Sequence, residues 1–170
     1  ILSYAGDIPE MDHGLLGTLG RSHGELNAPD EKFLQIQALP DGHLCRVRAI
    51  RSLVDRWQPD IIHAHSSFAG VYVRLAIHNS PRRRVVYTPH AYGFERLDIG
   101  PVKRALIHAA EALLTRNTEV VAACSTREQK LARDMHARRT VFVPNVAAPQ
   151  FHTRDAVLPL PERRVITVMG

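Results

Sequence analysis

At 170 residues and 19.0 kDa the chain has room for one domain and little of a second. A composition of 45% hydrophobic and 23% charged residues excludes a disordered, collagen-like or coiled-coil protein. No apolar stretch nears the ~18–20 residues needed to cross a bilayer, and Ile1-Leu2-Ser3-Tyr4-Ala5-Gly6-Asp7 lacks the features of a secretory leader, so a soluble, cytoplasmic protein is expected. The 22 Lys and Arg against 17 Asp and Glu give +5, which favours anionic partners. Cys45 and Cys124 are too few for a disulfide framework and are expected to be reduced packing residues.

Residues 7 to 31 hold Gly14, Gly17, Gly20 and Gly24 without periodicity and predict a long loop. Phe33 to Leu39 alternates apolar and polar residues, a strand closed by Pro40-Asp41-Gly42. Leu44, Val47, Ile50, Val54 and Trp57 recur at helical spacing up to Pro59-Asp60. Ile61 to Ser66 predicts a strand and Phe68 to Ile77 a helix. Pro81-Arg82-Arg83-Arg84 follows as a solvated loop or a patch for an anionic membrane, and no nucleic-acid motif accompanies it.

Val85 to Pro89 predicts a second such strand, ended by the proline. Pro101 suits a first helical turn, and Val102, Ala105, Leu106, Ala109, Ala110, Leu113 and Leu114 form the cleanest amphipathic stripe in the chain. Glu111 lies off that stripe and is expected to face solvent. Val120 to Cys124 reads as a buried strand, and Ser125 with Glu128 as a capping box opening a helix through Leu131 and Met135. Thr140 to Val143 is a further strand before Pro144-Asn145, residues 147 to 164 predict a linker, and Val165 to Gly170 predicts a last strand.

Strands alternating with amphipathic helices imply an α/β, Rossmann-like parallel sheet with helices on both faces. Ligands then bind beyond the carboxyl ends of the strands, which singles out His65-Ser66-Ser67, Thr88-Pro89-His90, Ser125 and Asn145.

The ordered set Pro59 to Ser66, Val85 to Tyr92, Glu111, Val121 to Ser125, Val143-Pro144-Asn145 and Val165 to Gly170 resembles the N-terminal half of a family 4 retaining glycosyltransferase of GT-B architecture. Where that family has Asn-Gly after the proline, this chain has Asn145-Val146. The resemblance implies that residues 1–150 form the acceptor-side domain, with 1–40 poorly defined. Residues 151–170 would be a linker and the first strand of a donor-binding domain, so the chain is expected to be a fragment, inactive alone. The family's Glu-x7-Glu motif belongs to that second domain, and the spacing of Glu111 and Glu119 here is taken as coincidence. The implied co-substrate is a nucleoside-diphosphate sugar, with a hydroxyl acceptor and no cofactor or metal.

His90 is the candidate catalytic residue: it follows a proline-ended strand, and an imidazole can both donate and accept near neutral pH. The resemblance implies contact with the transferred sugar, and the alternative is a local backbone cap. His65, Ser66, Ser67, Tyr92 and Asn145 are the candidate substrate-binding residues, Ser66 and Ser67 serving equally as helix caps, and Phe94 and Arg96 join Tyr92 on a pocket-shaping loop. His63 and His65 share a strand face, an arrangement that fits burial, acceptor contact or a metal-dependent hydrolase. A non-catalytic Rossmann-like binding module is the third reading.

Overall fold

The computed structural model describes residues 11–17, 33–145 and 163–169. Seven strands make one parallel sheet: β1 (Met11–Gly17), β2 (Gln35–Ala38), β3 (Ile61–His65), β4 (Arg84–Thr88), β5 (Val120–Ala123), β6 (Thr140–Phe142) and β7 (Arg163–Met169). Their order is β2-β1-β7-β3-β4-β5-β6, and every pairing in it is parallel. Parallel neighbours need crossovers. Among the described residues four helices sit between strands: α1 (His43–Trp57), α2 (Ser67–Ala76), α3 (Pro101–Thr115) and α4 (Thr126–Asp134).

Sequence punctuation sets the helix ends. Gln58 takes the left-handed conformation (φ 50°) and closes α1 before Pro59, Pro101 opens α3, and the Ser125 side chain caps α4. The pleat divides the side chains of β3 between two faces. Ile62 and Ala64 join Val85, Tyr87, Val121 and Val168 in a core completed by Ile50, Leu53 and Val54 of α1, Ala69, Tyr72 and Val73 of α2, and Ala132 of α4. Each large apolar side chain buried there contributes ~1.5–3 kcal/mol. His63 and His65 project to the other face, where Thr167 is the register partner of His63.

Two expectations need correcting. The loop predicted over 7 to 31 contains β1, whose Leu15 and Leu16 are fully buried; Gly14 and Gly17 sit within it and hide the strand pattern. Second, α3 turns its apolar stripe outward: Val102, Leu106 and Leu113 are 73%, 66% and 62% exposed, whereas Glu111 is 2% exposed. The strand predicted from Val165 is present as β7, paired on one side with β1 and on the other with β3, so both of its edges are hydrogen-bonded. The predicted linker falls, up to residue 162, outside the described residues.

The reason for α3's orientation is Arg74. It lies on α2, which is buried around most of its circumference, and its side chain is fully enclosed. Its Nη2 donates to Glu111 Oε2 at 2.8 Å, its Nε donates to the Gly70 carbonyl at 2.8 Å, and its guanidinium carbon stands 4.0 Å from the Tyr87 ring centre. Tyr87 in turn donates its hydroxyl to Glu111 Oε1 at 3.2 Å. A buried cation must be paired, and Glu111 is the acid within reach. Gly70 leaves the space that Tyr87 fills, since a Cβ there would come within 2.3 Å of the tyrosine ring.

Candidate functional site

Three strand ends build the site at the carboxyl edge of the sheet. β3 runs into Ser66, β4 into Thr88, Pro89 and His90, and β5 into Cys124. The backbone there is strained: Ser66 has φ 81° and ψ 158°, and His90 and Ala91 have φ 48° and 75°. Non-glycine residues in such regions cost ~1–3 kcal/mol each and persist where surroundings hold them. Ser66 N donates to Thr88 O at 3.0 Å, and Ser67 Oγ donates to Ala91 O at 3.2 Å.

Glu128 supplies the main anchor. The helix-opening half of the expected capping box forms, with Glu128 N donating to Ser125 Oγ at 3.1 Å. The carboxylate, however, does not return to the Ser125 backbone: it accepts Ala91 N–H and Cys124 N–H, each at 2.8 Å. One buried acid thus ties the turn after β4 to the end of β5, satisfying two amides that a strained loop would otherwise leave open.

The imidazoles form a contiguous group. Nδ1 of His65 lies 3.2 Å from Nε2 of His90, and Nε2 of His63 lies 2.8 Å from the Thr88 hydroxyl. The rings of His63 and His65 are 3.9 Å apart centre to centre, and Cys124 Sγ is 3.6 Å from Nδ1 of His90. Burial, reinforced by the nearby His90 ring, holds His63 down to about 4. Burial, then His63 and His90, hold His65 down to about 3. Both are therefore neutral hydrogen-bonding groups at neutral pH. Burial and the Glu128 carboxylate push the Cys124 thiol up.

Of the residues singled out in the sequence, His65 and His90 come together. Ser66 and Ser67 stand beside them, Ser66 also accepting from Ala69 N at 3.5 Å as the cap of α2. Asn145 is exposed past the end of β6, on the same edge but two strands from β4. Tyr92 is corrected: it is 2% exposed, its ring packed on Tyr87 and stacked on a buried Phe94, so neither ring offers a face to a sugar. Exposed Arg96 pairs with Asp98. Sequence reasoning missed Cys124 and Glu128; the Ser-x-x-Glu signal located the acid but not its target. Among the described residues no group of three or more His, Cys, Asp or Glu side chains is arranged to hold a metal ion, so the hydrolase reading lacks a third ligand there.

Comparison with known proteins narrows the chemistry. The profile of the family described as "Glycosyl transferase 4-like domain" matches residues 19–146. A protein named putative glycosyltransferase EpsD, from Bacillus subtilis (strain 168), is 30% identical over 112 residues, covering 58% of this chain and 29% of the relative. An uncharacterized 41.2 kDa protein in the cps region of Klebsiella pneumoniae is 37% identical over 79 residues, covering 44% of this chain and 22% of the relative. The chain therefore matches less than a third of the length of either curated relative. No solved structure matches it significantly.

Proposed function

This chain belongs to the glycosyl transferase 4-like domain family, and from that membership we propose that its protein moves a sugar from a nucleoside-diphosphate sugar to an acceptor hydroxyl with retention of configuration. The observation that carries the reading is the His65–His90 contact at the carboxyl edge of a parallel sheet, on a turn whose strain is held by Glu128. Such an edge is where this class of sheet binds ligands. His90 contacts the transferred sugar, and His65 adds no positive charge beside it because its ring is held neutral. The leaving phosphate helps take the acceptor proton, so no protein nucleophile is required. Donor binding falls chiefly to residues beyond these 170, so the chain alone is inactive.

The test supplies the full-length protein with labelled nucleoside-diphosphate sugars and hydroxyl acceptors. Sugar transfer is expected, and His90→Ala should lower kcat by about 10²-fold, the scale of removing one oriented hydrogen-bond partner of a transition state. Neither transfer nor donor hydrolysis across the panel would leave a non-catalytic binding module, and an undiminished His90→Ala rate would remove His90 from the mechanism.

The same reading includes a peripheral contact with an anionic membrane through the arginine run, which would bring the enzyme to a lipid acceptor. Arg82 and Arg84 are exposed beside a cavity of about 930 Å3 at the opposite edge of the sheet, while Arg83 is engaged by Asp55 and Gln58. Among the described residues no helix is long and apolar enough to cross a membrane. Vesicles containing phosphatidylglycerol are expected to pellet the protein in a salt-sensitive manner, lost in the double variant Arg82→Glu, Arg84→Glu. Equal pelleting by neutral vesicles would refute the contact.

A further inference from the structure

His90 is held between two partners, and the protons of the three groups are linked. Its Nε2 faces Nδ1 of His65 at 3.2 Å and its Nδ1 faces Sγ of Cys124 at 3.6 Å. A neutral imidazole has one N–H and one bare nitrogen, so donating on one side obliges it to accept on the other. With all three groups neutral, the proton count closes in two ways. In one, the thiol donates to His90 Nδ1, His90 donates from Nε2 to His65 Nδ1, and His65 keeps its proton on Nε2. In the other, His65 donates from Nδ1 and His90 donates from Nδ1 to sulfur.

We infer that Cys124 is a positioning residue whose S–H donates to Nδ1 of His90 and holds both His90 and His65 as Nε2–H tautomers. Glu128 fixes the spacing this requires, because a single carboxylate accepts the amide protons of Cys124 and of Ala91, the residue after His90. Among the described residues Cys124 Sγ has no hydrogen-bond partner but His90 Nδ1, so the first arrangement sets the S–H against a bare imidazole nitrogen, whereas the second leaves that S–H without an acceptor and has His90 donate to a weakly accepting sulfur. No hydrogen bond joins His63 to His65 Nδ1 among the described residues, where His65 Nδ1 faces His90 Nε2 and His63 Nε2 faces the Thr88 hydroxyl. The outcome is a chain of donors running one way, from sulfur through His90 to His65, so a bound sugar oxygen meets His90 by taking its Nε2–H in place of His65 Nδ1. The effect on sugar transfer rests on the glycosyltransferase reading; the tautomer assignment does not.

The assignment is tested on the 170-residue chain with ¹⁵N-labelled histidine, using two-bond proton–nitrogen correlation spectra at pH 7 to identify which ring nitrogen carries the proton. His90 and His65 are expected as Nε2–H. Cys124→Ser, which keeps a donor, should preserve the pattern. Cys124→Val should lose it at His90, and Cys124→Ala serves should valine not fit, amide dispersion reporting whether each variant folds. A wild-type His90 protonated on Nδ1, or an unchanged tautomer in the folded valine or alanine variant, would overturn the inference. In the full-length enzyme Cys124→Val should lower kcat more than it alters KM, with recovery in Cys124→Ser. If the tautomers shift as expected while both variants transfer sugar at the wild-type rate, Cys124 does not position His90 for transfer and the tautomer assignment stands; the role of His90 itself is decided by His90→Ala.

Discussion

Glu111→Ala is expected to destabilise the folded chain by about 3–5 kcal/mol, the cost of leaving one member of a buried ion pair without its partner. Arg74 would keep its bond to the Gly70 carbonyl and its place over the Tyr87 ring but lose the only charge that compensates it among the described residues. Tyr87 would lose the acceptor of its hydroxyl as well. Arg74 Nη1 is already buried without a described partner, so the arrangement has no slack. The double variant Arg74→Met, Glu111→Leu removes both charges and should recover most of the loss, less about 1–3 kcal/mol for groups left unpaired. Urea unfolding of the single and double variants measures both effects. A loss under about 1 kcal/mol for Glu111→Ala would mean that water reaches the guanidinium and that the pair does not orient α3.

Acid is the second large effect. His63 and His65 are held to about 4 and 3 in the folded protein, against an ordinary value of 6.5 in the unfolded chain. Between those limits the unfolded chain takes up protons that the folded one refuses. The stabilising contribution is therefore complete above pH 6.5 and shrinks as pH falls toward 4. The slope is about 1.4 kcal/mol per pH unit for each histidine, so about 2.7 for the two together. His13, also lowered by burial, acts in the same direction. Urea unfolding at pH 7, 6, 5 and 4.5 should show the decline, and His63→Gln should roughly halve it. Most of this window lies above the range where ordinary carboxylates titrate. A flat profile there would show that protonated imidazoles are accommodated in the fold.

The two effects differ in how they could have been foreseen. The His-x-His spacing at a strand end is visible in the chain, and with it the placing of both rings on one face. The Arg74–Glu111 pair was not. Glu111 sits off the apolar stripe of α3, and amphipathic patterning sends such a residue to solvent. The pattern failed because the partner that overrides it lies 37 residues earlier on another helix. Tyr92 failed likewise. It follows His90 on what looked like an open loop, but the turn at His90 and Ala91 folds its ring back onto Tyr87 and Phe94.

Local chemistry alone determined the succession of strands and helices from residue 33 to 145 and the edge on which His65 and His90 stand. Period, proline punctuation and capping act over a few residues and need no distant partner. Tertiary structure decided the insertion of β7 between β1 and β3, the facing of α3, the two amides claimed by Glu128, and the contacts from His65 through His90 to Cys124. Each of these pairs a donor with an acceptor, or a charge with its counter-charge, across segments that meet only after the sheet has formed, and no periodicity within either segment encodes the other.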